Sequence, residues 1–334
     1  MGRILTLGEI MLRLSTNEGT RITEANSFKA HYGGSEANVA INLANFNHQV
    51  SFASKVPSNL LGKAVQQHLQ NYGVDTSNLL KGGLRLGTYY LERGTGKRAS
   101  LVLYDRTYSS FAQMKNVEWN IDDLFKNVSL FHVSGISLAL SDSMTDLILG
   151  LIKEAKKRQI KVSFDINYRS NLWNYERASK TLNRILPYVD YCSAGKKDAL
   201  YLIGIPENKT QQSDLEYYYE QMYNKYPNIE VFYSTLRDVH SASSNDLQGT
   251  LWKNHLLYTS KVYHINPIVD RVGGGDAFVA GILHGLLEEK DPDYTVSFAT
   301  AASSLKHTIH GDCNQFSILE VEEFMRNESG NIVR

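Results

Sequence analysis

Residues 270–278 read Asp270-Arg271-Val272-Gly273-Gly274-Gly275-Asp276-Ala277-Phe278, three consecutive glycines followed by an aspartate. Such glycines free backbone N–H groups and permit dihedral angles that other residues avoid. An apolar pattern with helical spacing follows them, which predicts a helix N-terminus, where unpaired amides and the helix dipole favour an anion. Asp276 would lie in the first turn, stay ionised and serve as a general base. The stretch therefore predicts phosphoryl transfer to a hydroxyl; the alternative is a capped helix after a flexible loop.

Composition excludes several classes of protein. The chain has 334 residues, 42% of them hydrophobic, which is an ordinary globular composition and large enough for one big domain or a domain with a lid. Lys+Arg and Asp+Glu both number 35, so no basic excess indicates binding to nucleic acid or an anionic membrane. Cys192 and Cys313 have no metal-binding spacing and are interpreted as reduced packing residues. Glu9 comes too early for a signal peptide, and no apolar run approaches a membrane span, so we expect a cytoplasmic protein.

The order of predicted elements indicates an α/β fold. From Leu130 onward, apolar strands alternate with helical patterns, which predicts a mostly parallel sheet covered on both sides, with ligands at the carboxyl ends of its strands. Two earlier segments, 11–32 and 87–106, contain half-exposed strands. The second is predicted to be a β-hairpin around Gly94-Thr95-Gly96.

Two glycines also open a second candidate site, in Gly33-Gly34-Ser35-Glu36-Ala37-Asn38-Val39-Ala40. Small residues in the first turn of the predicted helix would let a ligand approach its backbone. The alternative is an ordinary Gly-Gly turn before an alanine-rich helix.

Polar residues on predicted strands supply further candidates. Tyr104 and Arg106 are two residues apart and share a strand face, and a guanidinium beside a phenol suits a carboxylate ligand. Asp165, Asn167 and Arg169 would also share a face if their strand persists, and buried polar groups need partners. The alternatives are a solvated strand for the first pair and a fraying strand end for the second group.

These motifs resemble a known family. Residues 270–276 are similar to the second signature of the ribokinase-like (PfkB) carbohydrate kinases, Asp-x-x-Gly-x-Gly-Asp, and residues 33–40 resemble the first, Gly-Gly-x-x-x-Asn-x-Ala. The resemblance implies a ribokinase-like three-layer α/β/α sandwich with a mostly parallel central sheet. It also implies a small β-sheet lid from about 11–32 and 87–106, in a single domain 1–334. The middle glycine, Gly274, is often alanine in the family, and the difference is expected to change little.

Within that family, the chain most resembles the 2-keto-3-deoxygluconate kinases. The motifs that carry this resemblance are Gly8-Glu9, Tyr89, Tyr104-x-Arg106, Ser134-Gly135-Ile136 and Asp165-x-Asn167-x-Arg169. This resemblance implies ATP-dependent phosphorylation of the terminal hydroxyl of a sugar acid, with Asp276 as the base and an anion hole of Gly273, Gly274 and Gly275. The implied substrate contacts are Gly34, Asn38, Tyr89, Tyr104, Arg106, Ile136 and Arg169. The implied ATP contacts are Asp165, Asn167, Lys196, Ser234, Gly273 and Gly275. ATP and Mg²⁺ are the expected cofactors, and a monovalent cation is left open as a third.

Two stretches depart from the family pattern. The usual Asn-x-x-Glu, which helps to position magnesium, is Gly195-Lys196-Lys197-Asp198 here, so Asp198 is expected to act on Mg²⁺ through water and a lysine could reach a phosphate. The loop after Thr235 is polar rather than glycine-rich, so its nucleotide contacts are left unassigned.

Other functions of the family stay open. A fructokinase, ribokinase or nucleoside kinase would use the arginines structurally, and a non-catalytic sugar sensor would explain the missing Asn-x-x-Glu, although Asp276 argues against it. Exposed edges of the lid predict a homo-oligomer that pairs through the lid.

Overall fold

The computed structural model describes residues 2–211 and 213–326, so the remaining residues of the predicted domain 1–334 lie outside the described part. The strands are β1 (Arg3–Leu7), β2 (Met11–Ser15), β3 (Lys29–Gly33), β4 (Val50–Val56), β5 (Leu79–Lys81), β6 (Thr88–Glu92), β7 (Leu101–Asp105), β8 (Val128–Ser134), β9 (Lys161–Asp165), β10 (Tyr191–Ser193), β11 (Val231–Ser241), β12 (Ser244–Lys253), β13 (Leu256–Thr259) and β14 (Tyr263–Ile265).

The helices cover both faces of the strands. They are α1 (Ser35–Asn45), α2 (Leu60–Asn71), α3 (Ile121–Leu124), α4 (Gly135–Leu138), α5 (Asp142–Lys157), α6 (Tyr175–Ile185), α7 (Lys196–Asp198), α8 (Asp214–Lys225), α9 (Gly274–Leu287), α10 (Pro292–Lys306) and α11 (Ile318–Arg326). The apolar spacing that predicts a helix after β8 is confirmed in α5, whose N-terminus is capped by the Ser141 side chain.

The main sheet has the order β13-β12-β11-β10-β9-β8-β1-β4-β5, with β14 paired to β12. Strands β5 to β11 along this order pair in parallel, and β12 to β14 are antiparallel. One hydrophobic core packs α5, α6 and α8 on one face, and a second packs α1, α2, α9 and α10 on the other. The predicted three-layer α/β/α architecture is therefore confirmed.

A separate four-stranded sheet, called the small sheet below, has the order β3-β2-β6-β7. Its strands come from the two segments predicted to supply them, 11–32 and 87–106, although β3 extends to Gly33. The hairpin strands β6 and β7 are shorter than predicted, with residues 93–100 between them. Strand β2 also turns a charged residue inward, because Arg13 is buried while its neighbours Leu12 and Leu14 are only half-buried.

Candidate active site

A cavity of about 960 Å³ lies where the carboxyl ends of β9 and β10 and the middle of β11 face the small sheet and the N-termini of α1 and α9. This is the edge at which ligands bind in open α/β sheets. Fourteen of the sixteen predicted site residues line it, namely Gly34, Asn38, Tyr89, Tyr104, Arg106, Ile136, Asp165, Asn167, Arg169, Asp198, Ser234, Gly273, Gly275 and Asp276. The two that do not are Gly274 and Lys196.

The glycine loop forms the floor of the cavity at the start of α9. Gly273 is the N-cap residue with φ +82°, and a Cβ there would lie 1.7 Å from the backbone oxygen of Asp312, so only glycine fits. Gly275 faces open space. The amides of Gly275 and Asp276 belong to the first helical turn and have no intrahelical acceptor, so they are available to an anion.

Asp276 is half-buried beside this loop and is held from α1. Its two carboxylate oxygens accept hydrogen bonds from Ser35 Oγ at 2.9 Å and from Asn38 Nδ2 at 2.6 Å. Loss of water around the carboxyl raises the pKa of Asp276, while the bonds from Asn38 and Ser35 oppose that rise. A carboxylate with a raised pKa and a fixed orientation is well suited to accept a proton.

The polar residues after β9 belong to the same hydrogen-bond network. They do not reach it through the alternation of side chains along a strand. Strand β9 ends at Asp165, and Asn167 has a left-handed backbone with φ +41°, so the premise of a shared strand face was wrong. Asn167 Nδ2 instead donates to Asp165 at 3.0 Å and to Ser35 Oγ at 3.1 Å. Burial raises the pKa of Asp165 to about 7, and Arg169 lies near enough to act on both Asp165 and Asp276.

On the small-sheet side, two predicted substrate residues already have protein partners. The hydroxyl of Tyr89 donates to Asp312. Arg106 donates to the Glu9 carboxylate from Nε at 2.8 Å and also from Nη2. Its guanidinium is therefore already paired, whereas the sequence predicts that it is free to bind the substrate. The third nitrogen of this guanidinium, Nη1, has no hydrogen bond to any of the described residues. Tyr104 is 43% exposed and is the more accessible side chain of this group.

The short helix α7 separates its two lysines. Lys196 pairs with Asp214 outside the cavity, so the expectation that Lys196 contacts ATP is not supported by its position, whereas Lys197 lines the cavity. Asp198 is half-buried at the cavity wall and accepts a hydrogen bond from the backbone of Gly195 at 2.8 Å. Ser234 lines the cavity and is bonded to Tyr219 and Thr250.

The comparisons with known proteins agree with this geometry. The model of the pfkB family carbohydrate kinases matches residues 1–318. The chain belongs to the PfkB family of carbohydrate kinases. A solved PfkB family carbohydrate kinase from Listeria grayi is 47% identical, with a TM-score of 0.94 over 97% of this chain and 100% of that one. A 2-dehydro-3-deoxygluconokinase from Thermotoga maritima is 36% identical, with a TM-score of 0.94 over 98% and 100%.

A curated relative from Haloferax volcanii, a 2-dehydro-3-deoxygalactonokinase, is 28% identical over 99% of each chain. In the described part of this PfkB kinase, no helix has the length and apolarity required to cross a bilayer.

Several residues of this kinase's site were missed from the sequence. Ser35 orients Asp276, and its only signal was a hydroxyl in the first turn of a glycine-opened helix. Arg13 bridges Asp270 and Asp312, which ties the small sheet to the glycine loop, yet its strand had been interpreted as half exposed. Arg237 and Arg271 also line the cavity, and sequence spacing gives no sign that they meet.

The space around Gly274 does not agree with the expectation that alanine would serve equally well at this position. A Cβ at Gly274 would lie 2.5 Å from Cε1 of His307, whose ring is buried and whose Nδ1 bonds the Ser303 carbonyl at 2.6 Å. We expect Gly274→Ala to displace this ring or the loop and to lower the free energy of unfolding by about 1–3 kcal/mol, as overpacking does. Chemical denaturation would measure this. Gly275→Ala, where a Cβ meets nothing within 4 Å, is the control; equal stability of both variants would contradict the clash.

Proposed function

We propose that this protein transfers the γ-phosphoryl group of ATP to the terminal hydroxyl of a sugar acid, 2-keto-3-deoxygluconate or a close stereoisomer. The observation that carries the proposal is the position of Asp276. Its carboxylate lies at the cavity floor, oriented by Ser35 and Asn38, directly beside the free amides of the glycine loop.

In the proposed step, Asp276 takes the proton of the sugar hydroxyl while the hydroxyl oxygen attacks the γ-phosphorus. The bond from that phosphorus to the β,γ-bridging oxygen breaks, and ADP leaves with the bond's electron pair. The loop amides would donate hydrogen bonds to the negatively charged group that is being transferred. Because these donors are already in place, they stabilise the charge without reorganisation. Gly34 and Asn38 lie beside Asp276, where hydroxyls of the sugar would be held.

Three arginines support a polyanionic co-substrate. Arg169, Arg237 and Arg271 line the cavity, and both Arg169 and Arg271 lie close enough to Arg237 to repel its charge. None of them forms an ion pair with any residue in ranges 2–211 and 213–326, although close cations are unfavourable without an anion. A triphosphate between these arginines and the glycine loop would supply that anion.

The carboxylates of the cavity fit a magnesium ion. Asp165 ends β9, and Asp198 lies in α7, just after the neighbouring strand β10. Burial raises the pKa of Asp165, and the negative charge of Asp198 raises it further. Two neighbouring carboxylates suit a hard divalent ion that keeps several waters. When bound, Mg²⁺ would neutralise phosphate charge. Asp165 and Asp198 are the residues that would hold it, directly or through water.

This assignment predicts that Asp198→Ala raises the Mg²⁺ concentration needed for half-maximal rate by about tenfold, because one of two acidic groups is lost. Steady-state rates over a Mg²⁺ titration would measure the shift. Asp214→Ala, which removes the partner of Lys196 outside the cavity, is the matched control and should leave the titration unchanged. A Mg²⁺ dependence that Asp198→Ala does not alter would show that another group positions the ion.

The sugar-acid substrate is supported by relatives and by charge. Proteins of 36% and 28% identity are named kinases of 2-dehydro-3-deoxy sugar acids. In the cavity, Arg169 acts electrostatically on Asp276, and the guanidinium of Arg106 lies 5.8 Å from the centre of the Tyr104 ring, so both arginines are placed to receive a carboxylate. A competing proposal is a neutral-sugar kinase, which the Glu9–Arg106 pair favours because that arginine is already neutralised.

A coupled assay of ADP release would test the proposed function over 2-keto-3-deoxygluconate, 2-keto-3-deoxygalactonate, fructose and ribose. We expect turnover with the keto acids and a product phosphorylated on the terminal hydroxyl, identified by ³¹P NMR. Turnover with only the neutral sugars would favour the competing proposal. ADP release without any acceptor, or none with all four, would contradict the proposed transfer.

The expected homo-oligomer and cytoplasmic location stay predictions. The small sheet does expose apolar side chains on its edge strand β7, with Leu101 48% and Leu103 44% accessible. Such an edge is suited to pairing with a second copy across a two-fold axis.

A further inference from the structure

Lys306 ends helix α10 with its side chain fully buried. An isolated ammonium in the interior is unfavourable because the charged form loses its hydration. The Nζ atom of Lys306 lies within hydrogen-bond reach of two backbone oxygens, that of Asp270 at 3.5 Å and that of Ile309 at 3.4 Å. One oxygen belongs to the loop that enters the glycine turn, and the other belongs to the loop that follows α10. The ammonium therefore links the backbones of two loops that build the cavity floor.

The charges around Lys306 balance. Arg13 and Lys306 are the buried cations, and Asp270 and Asp312 are the buried anions, with Arg13 bonded to both carboxylates. Burial lowers the pKa of Lys306, and Asp270 and Asp312 oppose that change. Burial would raise the pKa of Asp270, but Arg13 and Lys306 together keep it below its ordinary value. Removal of Lys306 would leave one negative charge of this cluster unbalanced, which is costly in the interior.

The cluster determines where the glycine loop lies. The carboxylate of Asp270 accepts from the amides of Val272 and Gly311, both at 3.1 Å, and its own amide donates to the oxygen of His307 at 3.2 Å. Gly273 follows immediately and packs against Asp312. A displacement of Asp270 would therefore be transmitted over a few bonds to the anion-binding amides. Misplacement of a catalytic group by about 1 Å can cost roughly 10²-fold in rate.

We propose that Lys306 is a positioning residue whose ammonium acts as a built-in monovalent cation, holding the backbone of Asp270 so that catalysis needs no such cation from solution. The inference rests on the proposed kinase function. It differs from the expectation that left a monovalent cation open as a cofactor, because a protein ammonium already lies against the carbonyl oxygens of Asp270 and Ile309. Its chemistry is that of an ammonium ion with oxygen ligands.

The first test uses the unaltered protein. Rates would be compared in KCl, NaCl and choline chloride, each at about 100 mM so that screening is equal. We expect equal kcat values in the three salts. Strong activation by K⁺ would overturn the inference while leaving the kinase function intact, whereas no transfer in any salt would count against the kinase function itself.

The second test removes the charge with Lys306→Met, which keeps the length of the side chain. We expect kcat to fall by about 10²-fold with little change in the KM for the sugar, because the lost positioning acts on the transfer step. In Lys306→Ala, which removes the bulk of the side chain as well as its charge, ammonium or potassium ions at about 100 mM should raise both the kcat and the melting temperature, and choline should raise neither.

Lys290→Met, which changes an exposed lysine near the start of the same helix, is the control and should behave as wild type in every salt. Normal kcat in Lys306→Met, or equal restoration by choline, would overturn the inference. The wild-type salt comparison decides the matter even if Lys306→Met does not fold.

Discussion

Asp276→Asn should fold normally, bind both substrates and lose about 10²–10⁴ in kcat, because an amide cannot take the proton of the attacking hydroxyl. The substitution is nearly isosteric, and the amide oxygen can still accept from Ser35 or Asn38. Rapid-mix measurement of the transfer step, with binding of ATP and sugar measured by calorimetry, would separate loss of chemistry from loss of affinity.

Asp293→Asn is a matched control for this variant, since Asp293 also lies in the first turn of a helix but is exposed, at the start of α10. It should keep wild-type kcat. Turnover of Asp276→Asn within a factor of a few of wild type would remove Asp276 from the role of base. The neighbouring Asp165, whose pKa burial raises to about 7, would then be the next candidate.

Arg169→Leu should lower kcat/KM for 2-keto-3-deoxygluconate by about 10–10²-fold, since a charged hydrogen bond contributes roughly 1.5–3 kcal/mol. Arg169 is exposed to the cavity and has no ion-pair partner within the described residues, so its removal breaks no ion pair among them. Residual activity on fructose should barely change. Arg177→Leu, which removes an arginine paired with Asp142 outside the cavity, is the control.

The KM for ATP distinguishes the two anions that Arg169 could bind. An unchanged KM for ATP with a large loss on the keto acid supports recognition of the sugar carboxylate. An increase in the KM for ATP with equal losses on acid and neutral acceptors would place Arg169 on the triphosphate, together with Arg237 and Arg271. Arg106 is a poorer probe, because its single replacement would leave the buried Glu9 unpaired and destabilise the fold.

The sequence predicts the fold and the floor of the site because both depend on local patterns. Glycines before a helical stripe identify the N-termini of α1 and α9, and alternation of strands with helices identifies the sheet whose carboxyl edge holds the cavity. These signals are carried by backbone geometry, so they survive without knowledge of tertiary contacts.

Side-chain partners were the part that sequence could not supply. Arg106 was expected to meet a substrate, but its position beside Glu9 depends on how β7 packs over the loop after β1. The sequence does not single out Arg13 or Lys306, yet both are buried, and Arg13 pairs with Asp270 and Asp312 from distant parts of the chain. The clash that His307 would make with a side chain at Gly274 is equally a consequence of helix packing between α9 and α10.

The most direct test of the account is the ratio of kcat/KM for 2-keto-3-deoxygluconate to kcat/KM for fructose, measured on the wild-type protein at saturating ATP. A site that binds a carboxylate through Arg169 and the remaining Nη1 donor of Arg106 rejects an analogue without it, because those donors are then left without an acceptor. We expect a ratio of about 10³ or more in favour of the keto acid. Comparable values for the two acceptors would contradict the sugar-acid assignment and leave a neutral-sugar kinase of the same family.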